Sequence, residues 1–252
     1  NKLYFLFLMQ RGKFIVVDGL DGCGKGVIID TFVEEAKKTG KRVFDVHKFW
    51  EENDFHPNPK EIIGNYDIIL TSEPTFVGAG RIVRDELIAK NGRTYSPETV
   101  AGGYSLDRHI LYEQLLLPVL EAGIDVYQSR SFSTSIVYQR QTALDLGREF
   151  SMDEIMKLSG NAFCYGHPMD FMIVPTIEDV SEVINRLDSR DKDDNCEFEN
   201  LEFQLKLKKQ YDSSEFREVF ERKGVKLVSM DVGGTLEYSK EQAREFYNQK
   251  LK

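Results

Sequence analysis

Cysteine is scarce, with three in 252 residues (Cys23, Cys164 and Cys196), and their spacing gives no pairing pattern. That argues against a disulfide framework and for a reducing, cytoplasmic setting. Positive charge is also short. Thirty-three Lys and Arg against 42 Asp and Glu leave a net charge of -9, which argues against a general nucleic-acid polymer binder, since that needs a basic face, and leaves room only for local basic patches. A site for small phosphorylated ligands needs only a few local cations. No apolar run approaches the roughly 20 residues that span a bilayer, so no membrane partner is expected. The N-terminal NKLYFLFLM is apolar but short, with no cleavage-site pattern after it, and residues 1–12 are read as a leader to the first strand. Histidines are few, and His109 and His167 lack metal-ligand spacing; they are read as structural, and no metal ligands are assigned. Internal repeats and low-complexity linkers are absent, so residues 1–252 are read as one domain.

What is present is an alternation of strand-like and helix-like segments. KFIVVDG (13–19) is a β-rich apolar run closed by glycine, the pattern of a strand buried on both faces. Residues 26–40 then carry Val27, Ile28, Phe32, Val33 and Ala36 at helical spacing, with Gly40 as a stop. Further strands are expected at 41–49, 66–74, 124–130, 170–176 and 225–232. Helices are expected at 79–90, 97–122, before 170, from 203 to 214 and from about Lys240. Residues 51–65, polar with Pro and Asn, read as an insert, and the acidic run within 186–202 reads as a solvated segment or lid. Strands alternating with helices imply an α/β fold: a three-layer α/β/α parallel sheet covered on both faces.

The first strand and helix bracket Gly19-x4-Gly24-Lys25, the context that gives a phosphate-binding loop its meaning. Glycines at 19, 22 and 24 let backbone N–H groups turn inward on phosphate oxygens, and the helix start adds partial positive charge. Cys23, Gly26 and Val27 contribute backbone to the same cradle, and Lys25 supplies a point charge. After the lysine, however, Gly26 stands where Ser or Thr would hold Mg²⁺. The motif alone supports nucleotide binding, not catalysis.

The loop and five further segments, in order, make the chain from about residue 12 onward resemble the thymidylate kinase family of P-loop nucleoside monophosphate kinases. GLDGCGK (19–25) resembles the family's loop, and by that resemblance Asp21 accepts the sugar 3′-OH of the acceptor. TSEPT (71–75) resembles T-R-E-P-G, with Glu73 retained on the acceptor side. YSLDRHILYEQLLLPVLEAG (104–123) resembles the helix whose aromatic residue and arginine face the base, here Tyr104 and Arg108. In QSRSFSTSIVYQ (128–139), Arg130 takes the place that grips the acceptor phosphate, Ser135 faces the base and Tyr138 lies against the deoxyribose. Residues 186–211 resemble the lid, bringing Arg186 and Arg190 over the donor phosphates. MDVGGTLEYS (230–239), with Gly233, falls where the family places its adenine-contacting loop.

The resemblance implies ATP and Mg²⁺ as cofactors, transfer of the γ-phosphate to a deoxynucleoside monophosphate (dTMP first, dUMP or a modified pyrimidine nucleotide remaining open), and Lys25, Arg130 and Arg190 as the catalytic cations. It also implies a homodimer, for which the apolar face of ILYEQLLLPVL (110–120) is available; the same face suits an ordinary core. Tyr104 and Tyr138 fit a base-and-sugar site or an aromatic core equally, Arg130 a ligand or a structural ion pair, and the lid arginines a solvated surface or a closing lid.

The departures are specific. Gly26 lacks the hydroxyl, Ser72 replaces the T-R-E-P arginine, Ser129 replaces the aspartate before Arg130, and Asn195 replaces a lid arginine. Arg81 and Arg84 are candidates to replace the lost cation, and Thr31, Asp18, Asp67 and Glu73 to help hold Mg²⁺. A nucleotide-binding module without catalysis is the competing reading; the retained Asp21, Lys25 and Arg130 oppose it.

Overall fold

A computed structural model describes residues 10–183 and 201–252. Most of the leader and nearly all of the lid expectation, including Arg186, Arg190, Asn195 and Cys196, lie outside the described residues. The elements in chain order are β1 (Phe14–Val17), α1 (Lys25–Lys38), β2 (Val43–Asp45), α2 (Val46–Glu52), α3 (Pro59–Ile62), β3 (Ile68–Ser72) and α4 (Gly78–Ile82). They continue with α5 (Pro97–Leu111), α6 (Leu117–Glu121), β4 (Asp125–Ser129), α7 (Phe132–Asp145), α8 (Met152–Lys157), α9 (Ser159–Gly166) and β5 (Phe171–Thr176). After the second described segment begins come α10 (Leu201–Tyr211), α11 (Ser214–Glu221), β6 (Lys226–Asp231) and α12 (Leu236–Phe246).

The six strands form one all-parallel sheet in the order β2-β3-β4-β1-β5-β6, as the alternating pattern predicts. Phe14 to Val17 are fully buried, each such apolar side chain stabilising the fold by about 1.5–3 kcal/mol. The chain leaves β1 for the far edge, returns to β4 beside it, then crosses to β5 on its other side. That reversal opens a crevice at the carboxyl end of β1, where ligands bind in such sheets.

Local chemistry moves several boundaries. The strand expected at 41–49 ends at Asp45, because the Asp45 carboxylate accepts the His47 N–H at 3.1 Å and caps α2. The 51–65 insert contains the one-turn α3, capped by Asn58 with Pro59 in its first turn. Helix 97–122 widens into a π-type turn at Tyr112–Leu116 before α6; Pro118 has no N–H to continue the regular ladder. The C-terminal helix starts earlier than Lys240, at the Thr235 cap.

Leu111, Tyr112, Leu115, Leu116, Val119 and Leu120 are all buried in the chain's own core. The apolar face of 110–120 is therefore spent internally. No helix among the described residues is long and apolar enough to cross a membrane.

Candidate functional site

The register of the sheet builds the site. Ser72, Ser129 and Val17 share one rung of β3, β4 and β1. One residue further on, Glu73, Arg130 and Asp18 leave three adjacent strands at the same level. Parallel pairing thus delivers two carboxylates and a guanidinium to the crevice beside the phosphate loop.

The loop itself turns through Gly22 (φ 78°) and Gly24 (φ 82°), left-handed values that glycine adopts at no steric cost. Gly24 is the N-cap of α1, with no side chain capping the helix, so the first N–H groups are left for a ligand. Gly19 is held close: a Cβ there would meet Pro175 Cδ at 3.2 Å and Cys23 Sγ at 3.4 Å. Cys23 is fully buried, and burial raises its thiol pKa despite nearby Lys25; its side chain is packing and its backbone is the loop. Lys25 Nζ rests on the Leu20 and Gly19 carbonyls at 2.6 and 3.1 Å. Burial first, then the neighbouring Arg130, lowers its pKa.

Arg130 is the one non-glycine residue with positive φ (67°) among those described, a backbone conformation that costs on the order of 1–3 kcal/mol. Its N–H donates to Val17 O at 3.0 Å, which pins it to the end of β1. The side chain donates to Asp21 through Nη2, and its carbon lies 5.4 Å from the Tyr138 ring centre. Tyr138 donates its hydroxyl to the same Asp21 carboxylate at 2.9 Å. Burial alone would raise the Asp21 carboxyl, but Arg130 and Lys25 outweigh it and hold the pKa below the ordinary value. Arg130 Nη1 is buried without a hydrogen-bond partner, 4.0 Å from Asp18 Oδ1. That donor has an ionic neighbour in Asp18 but makes no hydrogen bond, so its hydrogen-bonding capacity is unfilled in a desolvated crevice.

A second cluster lies behind the first. Arg108 is fully buried and donates to Glu73 at 2.8 Å, to Ser135 at 3.0 Å and to Asn161. Gln128 joins the clusters, donating to Glu73 Oε1 at 3.0 Å and to the Arg130 carbonyl at 2.8 Å. Tyr104 lies 5.9 Å from Arg108 and packs with Val83 and Val100 in a small cluster apart from the main core. Among the expected residues, Asp21, Lys25, Arg130 and Tyr138 thus meet at the loop, and Glu73, Arg108 and Ser135 meet behind it. Gly233 sits past β6, two strands from β1, its N–H turned onto Asp231 at 2.9 Å.

Burial outweighs Arg108 at Glu73 and pushes its pKa up to about 7. A folded-state pKa above the unfolded one stabilises the protein below the unfolded value, and this stabilisation is lost as pH rises through about 7. The expected loss between pH 5 and 7.5 is on the order of 2–3 kcal/mol, at about 1.36 kcal/mol per pH unit of displacement. Denaturant titrations at both pH values check it: Glu73→Gln is expected to remove that part of the slope.

Several expected helpers are engaged elsewhere. Thr31 is buried and donates to the Val27 carbonyl at 2.7 Å. Asp67 lies at the opposite, amino end of β3, paired with Arg42. Asp18 is fully buried and accepts from Gly19 N–H, Ser133, Thr134 and Tyr211. Arg81 pairs with Asp54 at 2.8 Å. Arg84 donates to the Pro74 and Thr75 carbonyls and stacks on Phe76. The pairing of Ser72 with Ser129 on one rung also recasts two departures. Ser72 and Ser129, where the resemblance led to an expected arginine and aspartate, are cross-strand neighbours on one rung, so the two departures taken together leave the net charge of that face unchanged.

Sequence reasoning missed Gln128, Asn161, Gln204 and Tyr211. Gln204 is fully buried and accepts the Asp21 N–H at 3.2 Å, and Tyr211 reaches Asp18 at 3.2 Å. Only Gln128 carried a signal, as a lone amide inside the apolar strand IDVYQSR.

The phosphate loop and Arg130 fit a nucleotide's phosphates. Mg²⁺ fits less well: Gly26 offers no oxygen, Asp18 is saturated, and no cluster of three metal-binding side chains exists among the described residues.

The family model described as thymidylate kinase matches residues 61–223. The chain is similar to the thymidylate kinase of Exiguobacterium sp. strain AT1b, 27% identical over 150 residues, 60% of this chain and 57% of the relative. It thus spans little more than half of that relative's length. It is also similar to the probable thymidylate kinase of Thermococcus kodakarensis, 29% identical over 206 residues, 79% of this chain and 82% of the relative. The fold matches a solved thymidylate kinase from Candida albicans with a TM-score of 0.60 at 17% identity, covering 95% of this chain and 92% of that one.

Proposed function

The chain belongs to the thymidylate kinase family, and from that premise we propose that it transfers the γ-phosphate of ATP to dTMP, giving dTDP and ADP. The observation that carries this reading is the convergence of Lys25, Arg130, Asp21 and Tyr138 at the end of β1. Two anionic substrates need fixed cations to meet, and phosphoryl transfer needs little else beyond positioning. Lys25 leaves the Leu20 and Gly19 carbonyls for the β- and γ-phosphates of the donor. Arg130 turns Nη1, which makes no hydrogen bond beside Asp18, toward the acceptor phosphate, and Asp21 with Tyr138 receives the sugar. An acceptor phosphate oxygen then bonds to the γ-phosphorus as the β–γ bridging bond breaks, and ADP departs.

Mg²⁺ in this chemistry neutralises charge on the transferring group. Position 26 has no side chain to hold it, so neutralisation by this chain's own residues rests on Lys25 and Arg130. A Cβ added at Gly26 meets nothing within 4 Å, so Gly26→Ser fits without displacing a neighbour. It is expected to raise kcat about tenfold, some 1.4 kcal/mol, and to lower the Mg²⁺ concentration for half-maximal rate; steady-state kinetics across an Mg²⁺ series check both.

Gly26 is also what favours the second reading, a nucleotide-binding module that no longer catalyses. Chromatography of products from ATP with dTMP, dUMP, dCMP, dAMP or dGMP in turn separates the two. Diphosphate from dTMP supports the kinase, and ATP binding with no diphosphate from any acceptor supports the module.

A further inference from the structure

The register that delivers Glu73, Arg130 and Asp18 to the ligand crevice also lines up charge at the opposite end of the sheet. Phe14 pairs with Val126, and Ile68 with both Val43 and Asp125. Arg42, Asp67, Asp125 and Lys13 therefore meet where β2, β3, β4 and β1 begin. The carboxylates there are spent on the backbone. Asp125 accepts the Lys13 N–H at 2.8 Å, Asp67 the Arg42 N–H at 2.7 Å and Asp170 the Phe14 N–H at 2.7 Å. Each is also matched by one cation: Asp125 by Lys41 at 3.0 Å, Asp67 by Arg42 and Asp170 by Arg11. Lys13 has no such partner. Among the described residues its Nζ donates only to carbonyls, those of Lys250 at 3.1 Å and Leu251 at 3.3 Å. Lys13, Lys41, Arg42 and Arg11 line a cavity of 440 Å³ together with Asp67 and Asp125.

We propose that this cavity is a second anion site, separate from the phosphate loop, which takes the phosphate chain of a di- or triphosphate. With every carboxylate matched, Lys13 carries the uncompensated charge. An ammonium group has three donors; Lys13 uses two on carbonyls and Lys41 one on Asp125. The donors left over stand on two strand starts that one carboxylate ties together, since Asp125 holds both the Lys13 N–H and the Lys41 ammonium. Lysine acts on phosphate as a point charge, so cations spread along a wall suit a row of phosphates.

The cavity lies within the roughly 300–1,000 Å³ of small-molecule sites. A chain of net charge -9 repels a polyanion at long range, so capture rests on these local cations and weakens as salt screens them. Inorganic tripolyphosphate and ATP both present the required phosphate chain. The site stands whether or not the protein transfers phosphate, because none of its residues touches the phosphate loop or Arg130.

The test is lysine footprinting on the full chain. Acetylation rates of Lys13 and Lys41 are read by mass spectrometry, with and without sodium tripolyphosphate or ATP, at fixed ionic strength. Lys25 reports the phosphate loop, and Lys157, exposed on α8 and outside the cavity, reports bulk effects. Tripolyphosphate at about ten times its Kd is expected to slow Lys13 and Lys41 about tenfold, to leave Lys157 unchanged, and to do the same in Lys25→Ala. Protection by ATP at a similar concentration upholds recognition of the phosphate chain alone; protection at a tenth of that concentration upholds the site with a nucleotide as its source. Calorimetry gives the second readout. In the Lys25→Ala background, Lys13→Gln is expected to weaken tripolyphosphate about tenfold, the size of one charge-assisted contact, while its amide still donates to the Lys250 and Leu251 carbonyls. No protection of Lys13 and Lys41, equal protection of Lys157, or protection that vanishes with Lys25→Ala overturns the site. Transfer to dTMP is read by its products, so the site and the kinase fail independently.

Discussion

Arg130→Met is expected to lower kcat/KM for dTMP by about 10³-fold, with ATP binding unchanged within a few-fold. One preorganised charge-assisted donor at a transferring group is worth roughly 3–4 kcal/mol when removed, and Arg130 supplies two donors in a fixed fork. Methionine keeps the length and apolar stem, and it inherits the same left-handed backbone, so the folded scaffold pays no new steric cost. What it removes is the ion pair with Asp21 and the Nη1 donor beside Asp18. Arg130→Lys is expected to restore only part of the loss, because a point charge cannot serve Asp21 and a phosphate at once. Steady-state kinetics with dTMP and ATP varied separately check the split, with thermal unfolding as the control for folding. A loss confined to the KM for ATP would place Arg130 on the donor side and contradict this assignment.

Arg108→Met is expected to cost about 3–5 kcal/mol of stability at pH 8, because it strands a buried carboxylate. Arg108 ties α5 to Glu73 beyond β3, to Ser135 on α7 and to Asn161 on α9. Without it, Glu73 takes up a proton more readily still, so the cost should shrink as pH falls toward 5.5. Adding Glu73→Leu removes the stranded charge and is expected to recover most of the loss, a coupling readable in a double-mutant cycle. Urea titrations at the two pH values check direction and size. A cost below about 1 kcal/mol at both, or no coupling between the two sites, would mean the pair contributes little.

The centre of the sheet was legible because a parallel, doubly covered strand is a short run of apolar residues, as β1, β3, β4 and β5 are, whereas the edge strands β2 and β6 are only partly buried. The loop residues were legible because glycine spacing is a local constraint. The rest is contact across distance. Gln204 and Tyr211 reach Asp21 and Asp18 from a helix more than 180 positions along the chain, and nothing near them in sequence points there. His47, whose Nε2 lies 3.0 Å from Ser72 Oγ, was hidden by a boundary: within an expected strand at 41–49 it has no reason to face Ser72, whereas a helix started by the Asp45 cap turns it there. Arg81 and Arg84 showed the reverse error, where charge near the right place suggested a role that their own carbonyl and carboxylate partners already fill. Asp67 failed on direction, since it enters β3 at the end away from the ligand crevice.

The most direct test of phosphoryl transfer by a loop that lacks its hydroxyl is a single-turnover experiment. Excess protein is mixed with ATP labelled on the γ-phosphate, dTMP and Mg²⁺, and label appearing in dTDP is followed over time. The expected result is transfer into dTDP by wild type, faster transfer by Gly26→Ser and none above background by Lys25→Ala. Label that stays in ATP with wild type and appears in dTDP only with Gly26→Ser would show that the natural chain binds nucleotides without moving phosphate between them.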